Sequence, residues 1–107
     1  MAQFPSRPVL ADLQQYQSEI CRERGWDQTS DAETFLLFME EIGELAKAIR
    51  KRKRLYEEKA KAHVHSDLEG EFADVLSYLL ELANRFEVDL EKAYRDKEAE
   101  NAGRVWE

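Results

Sequence analysis

From Phe35 onward, apolar residues recur at the three- and four-residue steps of one helical face: Phe35, Phe38, Ile42, Leu45 and Ile49, with Met39 and Ala46 beside them. A second stripe of the same period runs through Leu68, Phe72, Val75, Leu79, Leu82 and Phe86, and a shorter one joins Leu10, Leu13, Tyr16 and Ile20 near the start of the chain. No extended stretch alternates apolar and polar residues as a half-buried strand would, and glycine and proline number only four and two. The pattern predicts an all-α fold.

Local signals divide these stripes into four helices. The first is expected from about Pro8 to Arg24, with Gly25 as its C-terminal cap. Ser30 with Glu33 forms a capping box for the second, and Ser66 with Glu69 forms one for the third. Asp89 is expected to cap a fourth helix from Leu90 to about Ala102, with Gly103 near its end. Gly43 interrupts the second helix at a cost of about 1 kcal/mol relative to alanine. It falls on the core side near Met39 and Ala46, which predicts close helix packing there.

The acids add chemistry to this frame. Glu41 and Glu44, in EEIGE, are three residues apart; Glu71 and Asp74, in EFAD, repeat the spacing after 26 intervening residues. On a helix that spacing aims both acids of a pair the same way, so two packed helices would converge four carboxylates. Glu41 and Glu71 border their apolar stripes and should be partly buried. An ionised acid there needs a partner, a proton or a metal, because its desolvation is otherwise not offset. Only Lys47 offers Glu41 and Glu44 an obvious local counter-charge. A solvated acidic face would account for either pair alone, but the two together on core margins point to a hard divalent cation.

Length and composition bound the rest. A chain of 107 residues is expected to form one domain, spanning 1–107. The lone Cys21 can form no internal disulfide, and its place on an amphipathic helix suggests packing in a reducing, cytoplasmic compartment. MAQFPSRP lacks the apolar centre of a signal peptide, and the longest wholly apolar run is FLLFM, so no membrane segment is expected.

On the fourth helix, Tyr94, Lys97, Asn101 and Arg104 follow at steps of three, four and three, forming one stripe if the helix persists that far. A lysine, an amide and an arginine suit phosphate oxygens; a fraying end whose cations favour the helix dipole is the alternative. Trp26, in RGWD, offers a face for stacking a base, as do Tyr78 and Trp106, or these rings close the end of a core. Lys47 to Lys61 holds eight of the 16 basic residues in a chain of net charge −7. That run could steer a polyanion or remain a solvated extension, and nucleic acid is not the expected partner. His63 and His65 do not stand three residues after a glutamate, so the Glu-x-x-His pairs of di-iron bundles are absent.

Taken together, EEIGELAKAIRK, GEFADVLSYLLELA and DLEKAYRDKEAENAGRVW resemble the MazG-like all-α nucleotide pyrophosphohydrolases, over roughly Gly25 to Trp106. That family shows an ExxE pair, an ExxD pair and a later helix carrying Lys, Asn and often Arg. The resemblance implies a four-helix MazG-like bundle and Mg2+, with Mn2+ as a substitute, held by Glu41, Glu44, Glu71 and Asp74. It further implies cleavage of a nucleoside triphosphate between the α and β phosphates to a monophosphate and pyrophosphate. Glu41 and Glu44 are the candidate proton acceptors for the attacking water; Lys97, Asn101, Arg104 and Trp26 are the candidate substrate contacts. Four helices of this size would leave apolar stripes partly uncovered in a monomer, which, with the resemblance, predicts a homodimer or dimer of dimers. Two alternatives stay open: a related phosphohydrolase acting on dUTP, dCTP or phosphoribosyl-ATP, and a non-catalytic helical binding module.

Overall fold

Helix punctuation sets the architecture. In the computed structural model, which describes residues 1–54 and 67–106, four α-helices and one 3₁₀ turn follow in order. They are α1 (Leu10–Arg24), the 3₁₀ turn (Trp26–Gln28), α2 (Asp31–Arg52), α3 (Leu68–Arg85) and α4 (Leu90–Ala102). Among the described residues there is no strand, so the all-α class holds.

The caps explain most of the boundaries. Asp12 accepts a hydrogen bond from the Val9 amide and so closes the first turn of α1, two residues later than Pro8. Gly25 ends that helix at φ 71°, a left-handed conformation that costs glycine no steric penalty. Ser30 and Glu33 form the expected reciprocal box at the start of α2, with Glu33 N to Ser30 Oγ at 3.1 Å and Ser30 N to Glu33 Oε1 at 2.9 Å. Asp89 caps α4 through the Lys92 amide at 3.1 Å. For α3 the expected cap, Ser66, lies outside the described residues, as do His63, His65 and much of the basic run. Asp67 stands immediately before the helix, and its Oδ1 accepts from the Gly70 amide at 3.0 Å.

Two compact units divide the described chain. One comprises Met1–Gln28 with Leu80–Glu107, the other Thr29–Leu79. The first buries Gln17, Ile20 and Cys21 of α1 and Leu80, Glu81 and Ala83 of α3. Gln14 ties this unit together: its Nε2 donates to Asn84 Oδ1 (3.1 Å) and to the Val88 carbonyl (2.8 Å). Its Oε1 accepts from the Leu90 amide (3.0 Å), and its own carbonyl accepts from Asn84 Nδ2 (2.8 Å). Arg85 donates to Glu81 at 2.8 Å with both side chains nearly buried, so each charge enters the interior with its partner.

The second unit buries Thr34 and Ala48. Thr34 is 1% exposed, its hydroxyl 2.7 Å from that of Thr29. Much of the predicted apolar surface is uncovered. Phe35 and Met39 of α2, and Phe72 and Leu79 of α3, are exposed, as is Leu36, which lies off the predicted stripe. The close packing predicted at Gly43 is not found: a Cβ there would meet nothing within 4 Å, because this face of α2 is open.

Candidate metal centre

Within the second unit, α2 and the N-terminal part of α3 bring carboxylates together. Glu41 stands midway along α2, several turns from either end, whereas Glu71 lies in the first turn of α3 and Asp74 one turn further on the same face. One oxygen from each of Glu41, Glu71 and Asp74 lies within 4.8 Å of the others. Glu41 and Glu71 are half-buried, as their position beside the apolar stripes predicts, and Asp74 is exposed. Glu44, expected as a fourth ligand, is exposed and stands outside this trio.

The electrostatics of the trio are unfavourable on its own. Burial pushes the Glu41 carboxyl above its ordinary value of 4.5, and the charges of Asp74, Glu71, Glu40 and Glu44 push it further. Two ionised groups about 5 Å apart repel by up to roughly 3 kcal/mol at an effective dielectric of 20. Among the described residues Glu71 Oε2 is buried without a hydrogen-bond partner. A buried carboxylate oxygen normally accepts a donor, and its absence costs about 1–3 kcal/mol or more. A divalent cation would supply the missing partner and relieve the repulsion, and three oxygen donors are the ligand type that Mg2+ and Mn2+ prefer. The residues present therefore fit such an ion.

The other expected site residues belong to the first unit. Lys97, Asn101 and Arg104 do not form one helical stripe: α4 ends at Ala102, and Arg104 follows the Gly103 cap. Glu100, which is not among the residues expected at the site, takes both cations, with Lys97 Nζ at 3.5 Å and Arg104 Nη2 at 2.6 Å from Oε1. The spacing that permits this, three residues after Lys97 and four before Arg104, is plain in the sequence. Asn101 is half-buried, and its carbonyl accepts from Trp106 Nε1 at 3.0 Å. Trp26 sits in the 3₁₀ turn, 54% exposed, with the Arg24 guanidinium 4.8 Å from its ring centroid. That exposure favours an available ring over a plug for the core, though one face already carries a cation.

A helical scaffold that converges acids from an ExxE and an ExxD segment defines a class of site, a carboxylate cluster whose oxygens fit a divalent cation. Residues 29–98 match the model of the MazG nucleotide pyrophosphohydrolase domain, and the chain belongs to that family. The matched span includes Glu41, Glu44, Glu71, Asp74 and Lys97, and excludes Trp26, Asn101 and Arg104. Over 101 residues the chain is 33% identical to dCTP pyrophosphatase 1 of Rattus norvegicus, covering 88% of this chain and 57% of that protein. It is 32% identical over 104 residues to the Homo sapiens protein of the same name, covering 88% of this chain and 57% of that one. An uncharacterized protein of Bacillus subtilis (strain 168), YvdC, is 34% identical over 96 residues, or 82% of this chain and 91% of its own length. The chain thus spans little more than half the length of its mammalian relatives. No helix among the described residues is long and apolar enough to cross a membrane.

Proposed function

We propose that this protein hydrolyses nucleoside triphosphates to the monophosphate and pyrophosphate with Mg2+, Mn2+ serving as a substitute. The observation that carries the reading is the Glu41, Glu71 and Asp74 trio with its unpartnered buried Glu71 oxygen, in a chain of the MazG family. Glu41, Glu71 and Asp74 would hold the ion, and Glu44, whose charge already bears on Glu41, would join them when the cation draws it in. Bound there, the ion supplies neutralisation of the triphosphate charge and a lowered pKa for water. Water attacks the α-phosphorus, the bond to the bridging oxygen of the β-phosphate breaks, and pyrophosphate leaves. Glu41 or Glu44 accepts the water's proton.

Lys97 and Arg104 contribute charge to the phosphates, exchanging Glu100 for substrate oxygens. Asn101 bonds the sugar or a phosphate, and Trp26 stacks on the base. The names of the mammalian relatives make dCTP the first nucleotide to test. The exposed apolar residues of α2 and α3 support a homodimer or dimer of dimers, and the lone buried Cys21 is consistent with the cytoplasm.

The test is release of pyrophosphate and monophosphate from a panel of canonical and modified triphosphates, dCTP, dUTP and phosphoribosyl-ATP included. Metal-dependent turnover that falls at least about 100-fold in Glu71→Gln is expected. A well-folded protein that is silent across the panel, with stability and ligand affinity indifferent to Mg2+, would instead identify a non-catalytic helical module.

A further inference from the structure

We infer that Asp67 is a positioning residue for Glu71, fixing the first turn of α3 so that this carboxylate meets Glu41 and Asp74. The inference rests on the metal reading above and concerns what holds the ligands in place. Of the three clustered acids, Glu41 lies in mid-helix and Asp74 in the second turn of α3; Glu71 alone sits in a terminal turn, where helices fray. Asp67 bonds that turn twice. Its Oδ1 accepts from the Gly70 amide at 3.0 Å, and its carbonyl accepts from the Glu71 amide itself at 3.1 Å.

The residue at position 70 is fitted to this arrangement. Glycine is a poor helix former, yet it stands in the first turn of α3, next to a ligand. A Cβ at Gly70 would collide with Asp67 Oδ2 and lie 2.7 Å from its Cγ. The Asp67 carboxylate thus lies flat across the Gly70 backbone, a pose that a side chain at position 70 would exclude. Asp89 caps α4 above a lysine, so an aspartate cap does not itself demand glycine. What Gly70 allows is this orientation of Asp67 over the turn carrying Glu71. The buried Glu71 Oε2 has no hydrogen-bond partner among the described residues, so no donor fixes that oxygen and the turn that carries Glu71 bears on where it lies.

The test is calorimetric titration of the full chain with Mn2+, alongside thermal unfolding of each variant. Asp67→Ala is expected to weaken Mn2+ binding about tenfold or more, the scale at which groups that orient metal ligands act. Asp67→Ser, which keeps a capping oxygen and removes the charge, should restore the affinity to within about threefold of wild type. Ser30→Ala removes the equivalent cap from α2, eleven residues before Glu41; it should lower the melting temperature and leave Mn2+ affinity unchanged. Gly70→Ala, with Asp67 intact, gives a second route to the same weakening should Asp67→Ala fail to fold. Unchanged affinity in both variants overturns the inference. So does an equal loss in Asp67→Ser and Asp67→Ala, which would make the charge the operative feature. A wild-type chain that binds no Mn2+ removes the metal reading itself, a result distinct from either.

Discussion

Glu41 shows what the clustered acids cost the fold. Its carboxyl is held above 4.5, first by burial and then by Asp74, Glu71, Glu40 and Glu44, so folding favours its protonated form. A group whose proton affinity rises on folding stabilises at low pH, and that stabilisation is lost as the pH climbs through its folded value. The metal-free protein should therefore lose stability from Glu41 as pH rises from about 4.5 toward neutrality. Glu41→Gln should raise its melting temperature at pH 7 and give no gain at pH 4, with Mg2+ reversing the order by stabilising wild type alone. Melting curves across that range with and without metal check this. Cys21 shows the same sign in a different window: burial, with Glu81 beside it, pushes its thiol from 9.0 up to about 12. Stability linked to it is complete below pH 9 and declines from there to pH 12, a decline that Cys21→Ala should remove. In the native protein at pH 8, alkylation of Cys21 should run at least about 100-fold slower than in denaturant, because almost none of it is thiolate.

At the scale of elements, the helices were legible because their signals are local. Ser30, Glu33, Asp89 and Gly25 act within one turn of themselves, and all four occupy the capping roles that their spacing predicts. The approach of Glu41, Glu71 and Asp74 follows in part from the same local geometry, but which oxygens meet depends on how α2 packs on α3, so spacing alone does not separate Glu44, which stays outside the cluster, from Glu41. Gly43 and the stripe on α4 depart from expectation for a further reason: the sequence specifies neither what faces Gly43, where the surroundings are open, nor where α4 stops, at Ala102, which takes Arg104 off the stripe. Gln14 gave no signal at all, being one polar residue in a polar-rich helix, yet it joins α1, the end of α3 and the start of α4. Gln14→Ala should destabilise by about 2–4 kcal/mol, three hydrogen bonds at roughly 1 kcal/mol each. Gln14→Glu should cost at least as much, because a carboxylate can accept from Leu90 but cannot donate to Val88 or Asn84. Urea titrations of the two variants decide the point.

For the molecule as a whole, the question is what covers its apolar surface. Leu36 and Met39, with Gly43 one turn on, share a face of α2, and Phe72, Leu76 and Leu79 share a face of α3. The five side chains are between 40% and 68% exposed, all in the unit that carries the carboxylates. Single exposed apolar residues need no explanation, whereas faces built from several mark an interface. A second copy of the chain fits the exposed faces of the proposed oligomer, and Leu36 offers a clean test because it is 68% exposed in the single chain. A charge at so exposed a position changes the stability of an isolated protomer by no more than about 0.5 kcal/mol. At the core of an apolar interface the same charge would be desolvated without a partner, at a cost of several kcal/mol. Leu36→Glu should accordingly convert a dimeric or tetrameric wild type to a smaller species by light scattering, while the helical signal persists. A wild-type chain that already elutes at 12.6 kDa would refute the oligomer and leave the open faces of α2 and α3 to a different partner.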